Sequence, residues 1–420
     1  VQGNFKKLES KPAAQFFSYS IPAIIGMLLT SGIIIIDGLF IGNIIGIIGL
    51  ASVNLTLPVL YFFLGIAIMT GVGGAVKVGH ALGAKNLDLA RRHFSATISL
   101  TVIAITTLTI LCLVFLDPIL ELLTTDRVLN RSVKLYLGTI LWFYPAMMIN
   151  IVFSIHIRAQ GNPGLSLFFG IAGNALNLLL DYLMIARWGM GLRGAALASG
   201  ISVMIPMSCG IFYFLSKRST LRFLKFSWKW KDMARTLFNG SSEMIGQLSI
   251  GITTWVFNTI ILSRLGADGV AAFAIVGYIA FVQIMIITGF ATGLGPIVGY
   301  YYGAGNAGHI RQILKVALSA SFISGVICWL IVLFSSTTIA TLFTPGNSKI
   351  IAMARSGFVL FTIAFVLNGF NILITGYFTS IGNARLSAMI AAMRGLLLIN
   401  LFVIVLPMLI GNAGIWVSYP

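Results

Sequence analysis

Apolar runs long enough to cross a bilayer recur along this chain, beginning near Ala13, Leu50, Ser95, Val133, Leu165, Ala195, Leu237, Val270, Val316, Ile350, Leu386 and Ala413. A crossing helix needs roughly 20 apolar residues, and eleven of these runs reach that length; the twelfth is cut short at Pro420. The pattern predicts an all-α polytopic membrane protein of twelve transmembrane helices, with short polar loops everywhere except after the sixth run. Val1 to Pro12 is polar and leads into a full-length span rather than a short signal-type apolar core, so the first span is expected to be retained.

The polar punctuation repeats. Sliding the sequence by 220 positions lays Gly46–Arg92 on Gly266–Gln312 with 11 of 47 positions identical, among them Gly46/Gly266, Gly73/Gly293, Gly79/Gly299, Gly83/Gly303, Asn86/Asn306 and Arg91/Arg311. Shared apolarity does not align glycines and turn residues, so the chain reads as a duplicated unit. Two six-helix lobes of like orientation follow: residues 1–216 as the N-terminal lobe, 217–236 as an interfacial linker, and 237–420 as the C-terminal lobe. Parallel repeats of this kind place a substrate path at their interface.

Charges inside the spans break the repeat. Asp37, Asp181 and Glu243 are the acidic residues within apolar runs, and the 220 shift sets them against Phe257, Leu401 and Ala23. Asn174, Asn177 and Asp181 fall at i, i+3 and i+7, on one stripe of a helix otherwise covered by leucine. A charge at the bilayer centre costs about 2.5–3.5 kcal/mol even on lenient scales, so this stripe must face protein or water. Duplicated scaffold with unduplicated charge points to function rather than packing.

Composition agrees and narrows the chemistry. Of 420 residues, 58% are hydrophobic and 9% charged, against about 25% charged in a soluble domain. The net charge of +17 reflects topology, not nucleic-acid binding: 18 basic residues, including Lys6, Lys7 and seven between Lys217 and Arg235, fall on the N-terminal side of the membrane and 8 on the other. Both termini are therefore expected in the cytoplasm. The linker mixes Lys and Arg with Trp228 and Trp230, as a segment lying on the inner leaflet would. Cys112, Cys209 and Cys328 sit in separate apolar runs, and the four histidines show no paired spacing, so neither a disulfide nor a metal cluster is expected. No GxxxxGK[ST] loop occurs, which argues against an ATP-driven pump. Arg394, inside the eleventh run, is expected to snorkel toward the headgroups.

Two acidic residues beside amide and hydroxyl oxygens suit a hard monovalent cation such as Na+, or a proton shared between the carboxyls. One ion entering down roughly 100 mV supplies about 2.3 kcal/mol, enough to drive export without ATP.

The segments IDGLFIGNIIGIIGLASVNLTLP, GHALGAKN and GPIVGYYYGAGN, with the twelve-span duplicated plan, resemble the multidrug and toxic compound extrusion (MATE) family over essentially the whole chain. The resemblance implies a secondary antiporter, not an enzyme, that exports amphipathic, often cationic organic molecules in exchange for Na+ or H+ by alternating access. It also implies the cation site: Asp37 on the first helix, Asn177 and Asp181 on the fifth, and Ser199 where the family carries threonine on the sixth, with Asn174 on the same stripe. Pro22, 15 residues before Asp37, corresponds to the family's hinge proline. Glu243 matches a glutamate used by some members on helix seven as a second proton or substrate site, but their helix-ten aspartate is replaced here by Asn368 and Asn371. No cofactor is implied beyond the coupling ion. The partners are an organic substrate, a monovalent cation and the lipid bilayer, and the protein is expected to be a monomer in the plasma (inner) membrane. A lipid-linked saccharide flippase of the same superfamily is the alternative. It should line its cavity with several arginines, and Arg394 stands nearly alone.

Overall fold

Backbone in hydrocarbon must satisfy its own amides and carbonyls, and a helix does so within one segment. The structure, a computed structural model, describes residues 11–124, 126–226, 229–344 and 347–419; Lys6, Lys7 and Trp228 lie outside the described residues. Long apolar helices follow one another: α1 (Pro12–Ile45), α2 (Ile48–Gly83), α3 (Leu87–Val114), α4 (Arg127–Ala159), α5 (Pro163–Arg187), α6 (Gly191–Leu215), α7 (Trp230–Gly266), α8 (Asp268–Gly303), α9 (Ala307–Phe343) and α11 (Ala384–Ile410). Between the last two, α10 is a span bent by 48°, built from Ser348–Phe361 and Ala364–Ser380. A short α12, Ala413–Val417, closes the described chain.

The duplicated sequence becomes a duplicated backbone. Gly46 and Gly266 turn the chain out of α1 and α7 with φ of 94° and 68°, in the left-handed region where a Cβ is costly. Lys85 and Gly305, Gly161 and Gly382, and Gly191 and Gly411 are likewise positive-φ pairs at shifts of 220 or 221. The repeated asparagines are helix caps: Asn86 and Asn306 each accept, at 3.0 Å, the backbone N–H three residues on, at the starts of α3 and α9.

The lobes meet along small residues. Gly79 lies against its own repeat mate Gly299, and Gly83 and Gly303 press on the backbones of Tyr300 and His80, so α2 and α8 cross on the pseudo-twofold axis. On either side of that axis Gly293 fits against Ser20 of α1, while Gly73 fits against Thr236 and Gly240 of α7. Close backbone approach of this kind is how helices associate where lipid removes the hydrophobic drive. Polar bridges join the same end of the molecule: His80 Nε2 to the Ser380 carbonyl (2.8 Å), His309 Nε2 to Gln15 Oε1 (2.8 Å), and the Lys77 ammonium to the Asp232 carbonyl.

The linker sits at this end and is anchored on the N-terminal lobe. Gln160 Oε1 accepts from the Ser219 hydroxyl and from the backbone N–H groups of Thr220 and Leu221, and Arg91 donates to the Thr220 carbonyl. Leu221 is fully buried in the N-lobe core beside Phe94 and Phe214. Helix α7 begins at Trp230, inside the stretch assigned to the linker by composition.

Candidate functional site

Asp37 and Asp181 come together across the α1–α5 contact. Their carboxyl groups face each other at interaction range, while Asp37 Oδ1 and Asp181 Oδ2 have no protein hydrogen-bond partner. Asp181 is 2% exposed and Asn177, one turn earlier, 7%. The Asn177 Nδ2 is also enclosed without a partner. Asn174 turns from the stripe to α1, where its amide donates to the Thr30 hydroxyl at 3.2 Å. The stripe read from the sequence thus faces α1, not lipid.

The backbone around the pair is special. α1 passes into a π-helical turn at Ile41–Ile45, one turn after Asp37, and α5 does so at Tyr182–Arg187, immediately after Asp181. A π turn widens the helix by one residue and occurs frequently at functional sites. Ile41, Ile185 and Ala195, the last from α6, pack beneath the acids, with Tyr136 of α4 against them. Tyr136 also lies within electrostatic reach of both carboxyls. Neither it nor Thr30 could be singled out beforehand, because each sits in an ordinary amphipathic stretch of another helix. Ser199 stands one turn along α6 from Ala195, half-buried, with its carbonyl receiving the Ser202 hydroxyl. Pro22 is in the interior of α1, two residues past the Ser20–Gly293 contact.

The oxygens gathered here, two carboxyl groups and the Asn177 side chain, are hard donors. Among the described residues no group of three or more His, Cys, Asp or Glu side chains is assembled, so the set does not fit a transition metal. Two carboxyl oxygens enclosed without partners do fit a proton or a small monovalent cation.

The equivalent place in the C-terminal lobe is apolar. Phe257 (1% exposed), Ile261, Val403 (0%) and Ile415 pack together there, and Phe257, Ile261 and Ile415 are the 220-shift mates of Asp37, Ile41 and Ala195. The ungapped shift that sets Leu401 against Asp181 fails locally. Leu401 is 53% exposed, and Val403 takes the buried place. One extra residue is already present at Gly161/Gly382, and the π-helical segment Met393–Leu398 in α11 adds another.

Glu243 and Arg394 lie elsewhere in that lobe, away from this apolar cluster. Arg394 does not snorkel: its Nη1 donates to Asn368 Oδ1 on α10 at 3.4 Å, and its Nε is enclosed without a partner. Asn368 in turn reaches the Tyr419 hydroxyl at 3.5 Å.

Comparison with known proteins fits this arrangement. The MatE family signature matches the chain twice, over residues 22–183 and 245–406, once per lobe. The multidrug export protein MepA of Staphylococcus haemolyticus is 26% identical over 411 residues, 97% of this chain and 90% of that protein. Solved MATE structures in a straight and a bent conformation superpose with TM-scores of 0.93 and 0.91, each at 23% identity and covering at least 99% of this chain and 93% of the other. With both halves matched by one family signature and the whole fold superposed, the chain belongs to the MatE family of membrane transporters.

Proposed function

We propose that this transporter is a multidrug exporter of the plasma membrane that trades an inward-moving Na+ or H+ for an amphipathic, often cationic organic molecule. The observation that carries the reading is the Asp37–Asp181 pair, two acids enclosed in one lobe of a duplicated scaffold whose other lobe fills the same place with Phe257 and Val403. Two facing carboxylates repel unless a cation or proton stands between them, so ion entry and ion release favour different local packings. The π turns, one helical turn after Asp37 and immediately after Asp181, are where α1 and α5 have slack to move. Pro22 lacks the N–H that would tie its turn, which makes it the bending point of α1.

In this state the lobes are closed at the linker end by the α2–α8 glycine crossing and the His80–Ser380 bridge. Releasing the ion and bending α1 at Pro22 would strain the Ser20–Gly293 contact, which couples the acids to the closure. MepA, a named multidrug exporter, supports the substrate class.

The test is dye movement in proteoliposomes under imposed sodium or proton gradients. The parent should export against a dye gradient with one of the two ions. Asp37→Asn and Asp181→Asn should each lose gradient-driven export. Parental rates in both variants would refute the reading.

A further inference from the structure

Each lobe carries one intramembrane charge on its first helix and one on its fifth. The N-terminal lobe has Asp37 on α1 and Asp181 on α5; the C-terminal lobe has Glu243 on α7 and Arg394 on α11. By the repeat, Glu243 and Arg394 stand at the levels of Ala23 and Gly173, so their places in the other lobe are uncharged. Relative to the acids of the N-lobe they are shifted toward the linker end, by 14 residues on the first helix and 8 on the fifth. At about 1.5 Å per residue that is about 21 and 12 Å.

Glu243 and Arg394 feel each other's charge, yet form no direct ion pair among the described residues. Both are half-buried, and Glu243 makes no hydrogen bond among those of the described residues. Arg394 spends one of its five donors on Asn368 and encloses Nε without a partner. An intramembrane charge left open in this way is expensive as structure and is a ligand site by default.

The backbone under Arg394 is built and braced. Arg394 lies in the π-helical segment Met393–Leu398, the third such segment in the described chain, and the other two adjoin Asp37 and Asp181. Carbonyls of that segment are taken up by side chains: Thr253 of α7 donates to the Gly395 carbonyl at 2.9 Å, and Asn400 to the Leu396 carbonyl at 2.6 Å. Thr253 also accepts from Asn400 at 3.3 Å. Helix α7, which carries Glu243, therefore fixes the turn that carries Arg394, while Asn368, held by Tyr419, orients the guanidinium.

We propose that Arg394 and Glu243 form a substrate subsite in the C-terminal lobe that reads a carboxylate and an amine on the same molecule, so that zwitterionic amphiphiles are preferred over their cationic esters. A guanidinium fork matches a carboxylate through two parallel N–H donors, and Glu243 takes the cationic nitrogen. The subsite deepens the exporter reading and rests on it.

The test is equilibrium binding of a fluorescent xanthene dye bearing a free carboxylate and of its ethyl ester, on the full chain in nanodiscs with no ion gradient. The parent should bind the acid more tightly than the ester, and Arg394→Gln should shrink that preference about tenfold, equal to about 1.4 kcal/mol. Arg394→Lys, which keeps the charge but not the fork, should fall between. Glu243→Gln should weaken both dyes alike, because both keep the amine.

A parent that binds the ester as tightly as the acid overturns the subsite, whatever the variants do. So does an Arg394→Gln variant in which both dyes weaken equally and Glu243→Gln restores them, since Arg394 would then only neutralise Glu243. Loss of exporter function is read separately, in proteoliposomes: a chain that discriminates the dyes but moves neither against a gradient would fail as an antiporter while keeping the subsite.

Discussion

The two lobes share a backbone and differ in what they enclose. In the N-terminal lobe α1 and α5 bring Asp37 and Asp181 face to face, while in the C-terminal lobe the same positions hold Phe257 and Val403 in a sealed apolar cluster. Each lobe was free to keep or fill that place. One kept two carboxyl groups that face each other and leave Asp37 Oδ1 and Asp181 Oδ2 without a partner, at a cost of several kcal/mol if charged and unpaired; the other filled it with carbon. Packing accounts for the filled lobe; for the other we propose an ion or a proton held between the two carboxyls. The C-terminal lobe has its own unpaired charges, Glu243 and Arg394, of opposite sign and nearer the linker end. The two proposals together put ion handling on one side of the substrate path and cargo recognition on the other.

The comparison can be broken from either side. The largest effect is expected from Asp37→Asn combined with Asp181→Asn, which should cut gradient-driven export by at least about 100-fold, about 2.7 kcal/mol, with folding intact by thermal melting; a fall of only a few-fold would mean the pair is not the coupling site. The mirror change, Phe257→Ala, should do the reverse. It should cost about 3–5 kcal/mol of stability through the cavity it leaves, seen as a lower melting temperature, with ion coupling preserved in the molecules that remain folded.

A third change addresses how the lobes communicate. Gly83→Val places a side chain where the Tyr300 and Gly303 backbones press on α2. Overpacking of that kind costs about 1–3 kcal/mol. Spin-label distances across the linker end should lengthen toward an open state, and unchanged distances would show that the glycine crossing does not close the path. The smallest effect is expected from Tyr136→Phe. Losing one hydroxyl near the two acids, about 1 kcal/mol, should shift the ion concentration for half-maximal transport about five-fold without abolishing it.

Much of this was legible in the sequence, for physical reasons. The eleven full-length spans of the described residues follow from the thickness of hydrocarbon, and the paired turns at Gly46/Gly266 and Gly161/Gly382 follow from positive φ, which the residue types already announce. The Asn174–Asn177–Asp181 stripe was readable because a charge in a leucine helix has only one tolerable direction. What failed was local register. The extra residue at the Gly161/Gly382 turn and the one that the π segment Met393–Leu398 inserts leave no gap in hydropathy, so an ungapped shift points to Leu401 where Val403 is the buried residue. Reach is all a sequence reveals of an arginine, and for Arg394 reach alone favours snorkelling; its bond to Asn368 depends on α10 packing beside it. Tyr136 and Thr30 were invisible for the same reason, being brought to the acids from neighbouring helices.

If the ion held by the Asp37–Asp181 pair is exchanged for cargo, substrate binding must set it free. Ion release on substrate binding tests that exchange most directly: titrate the purified, ion-loaded protein with a cationic dye in weak buffer and record protons and Na+ appearing in solution. The parent should set free about one cation per dye bound, and the Asp37→Asn, Asp181→Asn double variant none. Equal release from both proteins, or dye binding with no ion release from the parent, would contradict it.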